Sequence, residues 1–107
     1  MQKILFICSA NRLRSPTGEQ VFSQYPNLEV SSAGLNHDAV DPLTPEHLLG
    51  VDTIFLMEKA HRTKLSKKFK AHLKSARIIC LNIPDEFEYM DETLITILKA
   101  RVTPHLR

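Results

Sequence analysis

The sequence predicts an α/β fold: a three-layer sandwich with a four-stranded parallel sheet and helices on both faces. Three observations predict it. Four short segments read as strands: Lys3–Ile7, Leu28–Ser32, Val51–Met57 and Ala76–Leu81. Stretches with helical periodicity alternate with them. Turn and capping residues, among them Pro16, Gly34, Thr44-Pro45 and Asp91, punctuate the changes. Alternation of this kind implies parallel pairing through right-handed crossovers.

The elements follow in order. Lys3–Ile7 is an apolar run suited to a buried strand and ends at Cys8. Pro16 fits a helix's first turn, where its missing N–H costs nothing. The first helix is expected over 16–24, with Val21 and Phe22 inward. Tyr25-Pro26-Asn27 stops it, since a residue before proline avoids the helical region. Leu28–Ser32 is the second strand, closed by Gly34, and 35–43 is a loop. Thr44-Pro45 reads as an N-cap with proline at the first helical position, opening a short helix that ends at Gly50. Val51–Met57 is the third strand. Glu58 to Lys70 is a basic helix with Ala60, Leu65 and Phe69 toward the core and lysines outward. Ala76–Leu81 is the fourth strand and Asn82–Tyr89 a loop. Asp91 caps a last helix through Arg101, carrying Leu94, Ile95, Ile97 and Leu98.

Composition narrows the function. At 107 residues, one domain spanning 1–107 is expected. Hydrophobic content of 43% and charged content of 24% are ordinary for a soluble globular protein. A net charge of +2 is too small to argue for nucleic acid. No apolar run approaches a membrane span, and the strand at the N-terminus leaves no visible signal peptide. Two cysteines, one of them a candidate reactive thiolate, suit a cytoplasmic location. No His or Cys spacing suggests a metal site, and no cofactor is implied.

The chemistry lies in KILFICSANRLRSP, residues 3–16. Five residues separate Cys8 from Arg14, and Ser15-Pro16 follows. The stretch reads as strand, tight loop, helix N-terminus. A helix start offers unpaired N–H groups and the positive end of a dipole. A loop curled so that its own amides converge makes an anion nest. Arg14 adds a planar fork that matches two phosphate oxygens. Cys8 at the base of such a nest is a nucleophile beneath a bound oxyanion, as a cysteinyl-phosphate mechanism requires. The phosphate-binding set is then Ser9, Ala10, Asn11, Arg12, Leu13, Arg14 and Ser15. Asn11 holds the loop and tolerates a left-handed conformation. Ser15 either donates to the Cys8 sulfur, caps the helix, or does both.

This segment resembles the opening of the low-molecular-weight protein tyrosine phosphatases, through Cys8, Asn11, Arg14, Ser15, Pro16 and Phe22. Ser32-Ala33-Gly34 resembles that family's second strand end, and residues 52–65 resemble its third strand and following helix. The resemblance implies a parallel-sheet phosphatase fold and hydrolysis of a phosphorylated protein or aryl phosphate. It also implies an acid aspartate in the loop after the last strand, next to a proline. Here that loop reads Ile83-Pro84-Asp85, with the family's order inverted, so Asp85 is the candidate general acid and a turn aspartate is the competing reading. Asp91 has a competing role as helix cap. The chain departs from the family elsewhere too. Ala10 stands where glycine is usual, and Leu13 replaces the second loop cysteine. Arg12 replaces an apolar rim residue, and the chain is shorter between Gly34 and Val51. Tyr89 and Phe87 either form an aromatic wall for substrate or cover the core. Cys80 reads as a buried inert thiol and His61 as a surface residue. Three other functions fit parts of the pattern: a phosphocarrier of the sugar phosphotransferase IIB type, an arsenate reductase, and a non-catalytic oxyanion-binding module. Arg14 argues against the first and the shortage of resolving cysteines against the second.

Overall fold

The computed structural model describes residues 1–106. Four strands form one parallel sheet: β1 (Gln2–Cys8), β2 (Leu28–Gly34), β3 (Thr53–Leu56) and β4 (Arg77–Cys80), in the order β2-β1-β3-β4. Their registers place Cys8 beside Gly34, Ile7 beside Leu56, and Leu56 beside Cys80. Three helices cover the sheet: α1 (Arg14–Phe22), α2 (Lys59–Leu73) and α3 (Glu92–Val102).

β1 is central because it is apolar on both faces. Its even-numbered residues Ile4, Phe6 and Cys8 pack with Phe22 of α1 and with Leu94, Leu98 and Val102 of α3. Its odd-numbered residues Leu5 and Ile7 pack with Leu65 of α2 and with Leu48. Period-two alternation therefore sorts one strand's side chains into two cores, giving the three expected layers. Phe6 stacks between Phe22 and Phe55, with centroids 5.7 and 5.4 Å away. Gly18 of α1 lies against this ring: a Cβ there would sit 2.9 Å from Phe6 Cδ1. Any side chain there would force the Phe6 ring or α1 to shift.

Several expectations change in detail. The expected helix after Thr44 is a single 3₁₀ turn, Pro45–Leu48, with the Thr44 N–H donating to His47 Nδ1 (3.0 Å). α1 begins at Arg14, so Pro16 occupies its first turn. On α2, Ala60 is exposed and His61 is buried, reversing the expected facing of both. The inward stripe runs His61, Leu65, Phe69, Leu73, an i, i+4 series that excludes position 60. Cys80 is half-buried, because β4 is an edge strand, and its thiol donates to Asn82 Oδ1 at 3.3 Å. Asp91 caps α3, accepting the Thr93 and Leu94 N–H groups.

The topology fixes where a ligand can sit. From β1 the chain leaves toward α1 on one face, and from β3 toward α2 on the other. The carboxyl ends of β1 and β3 therefore flank a crevice at the point where the winding direction changes, the general ligand position in such sheets.

Candidate active site

Cys8 ends β1 at this crevice with 3% exposure. Residues 9–13 curl away from it before α1 begins. Three of the loop's carbonyls are pulled outward: Leu35 N–H donates to Cys8 O (2.9 Å), Asn36 N–H to Ser9 O (3.0 Å) and Val40 N–H to Ala10 O (3.0 Å). With the carbonyls fixed outside, the amide N–H groups are left to the inside. Among the described residues the N–H groups of Ser9 through Leu13 have no protein acceptor. Asn11 takes a left-handed conformation, φ 54°, as its residue type allows, while Ala10 does not have positive φ. The missing loop glycine therefore carries no strain. Gly34 is the glycine this site does need. A Cβ there would lie 2.8 Å from Ser9 O and 2.4 Å from Ala39 Cβ, blocking the approach of the 35–40 segment.

Cys8, Ser9, Ala10, Arg12, Leu13, Arg14 and Asp85 line a cavity of about 170 Å³. Asn11 and Ser15 lie beneath it, buried, rather than on its wall. Cys8 Sγ is 2.9 Å from Ser15 Oγ, which is 2.8 Å from the Asn11 side-chain amide. The direction of this chain follows the charge on Cys8. With a neutral thiol, S–H donates to Ser15, whose hydroxyl donates to Asn11 Oδ1. With a thiolate, the Ser15 hydroxyl turns to sulfur and Asn11, its amide reversed, donates Nδ2–H to Ser15. Ser15 thus serves the sulfur, while the N-terminal residue of α1 has no side-chain cap.

Arg14 is buried, its side chain 3% exposed. Its Nη1 donates to Glu58 Oε2 (2.7 Å) and to Ile83 O (2.8 Å), and its Nε lies 3.6 Å from Asp85 Oδ1. The Arg14 hydrogen bond and charge hold Glu58 below the ordinary carboxylate range, against the opposing pull of desolvation. Asp85 is 65% exposed at the mouth of the cavity. The topology thus brings the loop after β4 to Arg14 across 69 residues of sequence. Arg12 is exposed on the rim. Tyr89 lines an adjoining groove with Asn11, Arg12, Pro16, Glu19, Ser32 and Val40, whereas Phe87 packs on the core.

Two residues at this site escaped the reading of the sequence. Glu58 is the partner of Arg14. His61, read as a surface residue, is 3% exposed; its Nδ1 accepts the Glu58 N–H (3.2 Å) and its Nε2 lies 3.0 Å from Ser9 Oγ. Burial, then the Arg14 charge, hold its pKa below 6.5. Glu58-x-x-His61 has capping-box spacing, directly after a strand whose carboxyl end faces the crevice. That spacing was the available signal.

Known proteins sharpen the picture. No protein-family model matches the sequence, and no curated protein matches it. Solved structures do match. One is SP-PTP, a low molecular weight protein tyrosine phosphatase from Streptococcus pyogenes: 15% identity, TM-score 0.79, covering 100% of this chain and 95% of that one. The chain has the low-molecular-weight tyrosine phosphatase fold. Similar to it as well are the tyrosine phosphatase Wzb from Escherichia coli in complex with phosphate, at 18% identity and TM-score 0.77, covering 97% of this chain and 95% of that one. The YwlE arginine phosphatase from Geobacillus stearothermophilus aligns at 19% identity and TM-score 0.73, covering 100% and 99%. The phosphatase fold thus spans tyrosine and arginine phosphatases. As with the fold's other features, no helix among the described residues is long and apolar enough to cross a membrane.

Proposed function

We propose that the chain is a cysteine-dependent phosphomonoester hydrolase acting on phosphotyrosine in protein or on another aryl phosphate. The carrying observation is the placement of Cys8 Sγ under a loop whose amides have no protein acceptor, with the Arg14 guanidinium at its edge. That is a preorganised site for a tetrahedral dianion and for the charge that develops on its transfer.

The steps follow from the positions. The phosphate oxygens take the loop N–H groups and the free edge of Arg14. The Cys8 thiolate, receiving the Ser15 hydroxyl hydrogen bond, attacks phosphorus as the ester P–O bond breaks. Asp85, as its acid, gives a proton to the leaving oxygen. Water then attacks the cysteinyl-phosphate, Asp85 takes its proton, and the P–S bond breaks to release inorganic phosphate and the thiolate. Glu58 and Ile83 O hold Arg14 so that its fork needs no reorganisation.

The geometry favours hydrolysis over arsenate reduction. Cys8 and Cys80 lie on strands separated by β3, so their Cα atoms are roughly 10 Å apart at two strand spacings. A disulfide needs less than about 7 Å. The tyrosine phosphatase Wzb, which shares this fold, is solved in complex with phosphate, and we extend that ligand class to this chain.

Turnover of p-nitrophenyl phosphate tests the reading, with Cys8→Ser as control. Cys8→Ser is expected to abolish turnover while retaining phosphate binding. Asp85→Asn is expected to lose on the order of 10²–10⁴-fold, and less with leaving groups that need no proton. Full activity of Asp85→Asn on phosphotyrosine peptide removes Asp85 from the mechanism. Uptake of phosphate by Cys8 from a donor protein, with neither Arg14 nor Asp85 mattering, replaces the hydrolase with a carrier. Phosphotyrosine and phosphoarginine peptides assayed side by side decide the substrate class.

A further inference from the structure

We infer that His61 is a positioning residue that holds the Ser9 hydroxyl as an additional donor to the bound oxyanion, and that it does so only in its neutral form. This rests on the phosphatase reading of the site and adds a pH-dependent support to it.

The hydrogen-bond directions are forced. His61 Nδ1 faces the Glu58 backbone N–H at 3.2 Å, so Nδ1 must be the acceptor and the ring proton resides on Nε2. Nε2–H therefore donates to Ser9 Oγ, 3.0 Å away. The Ser9 hydroxyl, serving as acceptor there, keeps its own hydrogen, and no acceptor for that hydrogen occurs among the described residues. Ser9 follows Cys8 directly and lines the cavity. Its carbonyl is held outward by the Asn36 N–H. A hydroxyl fixed on one side by imidazole has the cavity as its remaining polar direction, and a phosphate oxygen is the group that satisfies it.

Protonation undoes this arrangement at two points. A proton on Nδ1 would face the Glu58 N–H donor to donor, expelling the ring from its present seat. The imidazolium would also compete for the Glu58 carboxylate, whose Oε2 is 3.8 Å from Nε2, and so for the anchor of Arg14. The charged groups facing the ring are Arg14 on α1, Glu58 at the N-cap of α2, Lys64 on α2, and Asp85 in the loop after β4. Arg14 and Lys64 oppose the proton; Glu58 and Asp85 favour it. Acidification below the ordinary histidine value of 6.5 should thus release Ser9 and loosen Arg14 together.

The test uses the full chain and two readouts: inorganic phosphate binding by calorimetry, and kcat/KM on p-nitrophenyl phosphate from pH 5 to 8. Ser9→Ala and His61→Leu are each expected to weaken phosphate binding about tenfold at pH 7.5, the usual scale for one hydrogen bond to an anion. The double variant is expected to be no weaker than either alone. His61→Gln, which keeps an N–H donor and cannot titrate, is expected to restore binding and to flatten the acid limb relative to wild type. Additive losses, or an unchanged acid limb in His61→Gln, overturn the inference and leave the hydrolase reading standing. Wild type that binds phosphate with these responses but hydrolyses nothing overturns the hydrolase reading alone. Wild type that binds no phosphate overturns both. If His61→Leu does not fold, Ser9→Ala at the half-buried Ser9 and the pH profile of His61→Gln decide the matter.

Discussion

Arg14 places a permanent charge where almost no water reaches it, and every part of its surroundings is an answer to that charge. Glu58 neutralises it, the Ile83 carbonyl takes a second N–H direction, and Asp85 stands near Nε at the mouth. Lysine at this position keeps the charge but loses the planar fork. Arg14→Lys is therefore expected to lower kcat by about 10²–10³-fold, the scale for removing a transition-state donor, with the fold retained. Steady-state kinetics beside a thermal melt checks both parts. The residue scale also separates what the sequence could tell from what it could not. Cys8, the loop and Arg14 lie within seven residues, so their grouping around one cavity was legible as a string. Glu58 and His61 are 44 and 52 residues from the groups they hold, and their capping-box spacing after β3 marks a helix start near the crevice without naming Arg14 and Ser9 as the partners.

Helix α2 shows the same division at the next scale. Its existence and basic outer face followed from periodicity, but its phase did not. Ala60 looked the better core residue by hydrophobicity, whereas the i, i+4 row through Leu65 carries His61 inward, where two hydrogen bonds compensate its burial. The start of α2 is consequently sensitive to acid. The folded state depresses the His61 pKa from 6.5, so the unfolded chain binds the proton more tightly. Its contribution to stability is full above about 6.5 and is lost as pH falls through the lower folded value. Glu58, depressed from 4.5 by Arg14, adds a second loss at still lower pH. Denaturant midpoints are expected to fall from pH 7 to 5, and less steeply in His61→Gln. α3 offers a contrast. Asp91→Ala removes the cap that accepts two N–H groups and should cost about 1 kcal/mol of stability. Its effect on kcat should be negligible, which separates a capping aspartate from an acid.

For the whole molecule, the strand and helix alternation was enough to give the parallel sheet, its layers and the crevice at the strands' carboxyl ends, because handedness and the doubly wound geometry leave few alternatives. It was not enough to give the 35–40 segment a purpose. That stretch has no periodicity and reads as a connection, yet its amides hold the loop carbonyls, and its close passage depends on Gly34. The cavity at Cys8 is therefore not a property of residues 8–15 alone; the carbonyls of its loop are held by the connection between β2 and β3. Opening of one and emptying of the other become a single equilibrium, so amide hydrogen exchange at Leu35, Asn36 and Val40 is a clock for the pocket. Phosphate at 100 times its dissociation constant favours the closed form by about 2.7 kcal/mol, or roughly a hundredfold in slowed exchange. Exchange at these three amides that ignores phosphate, while core amides such as Ile54 remain protected, would mean the loop keeps its shape unaided. A hundredfold slowing would instead show that a segment without secondary structure and the anion's occupancy are tied in one equilibrium.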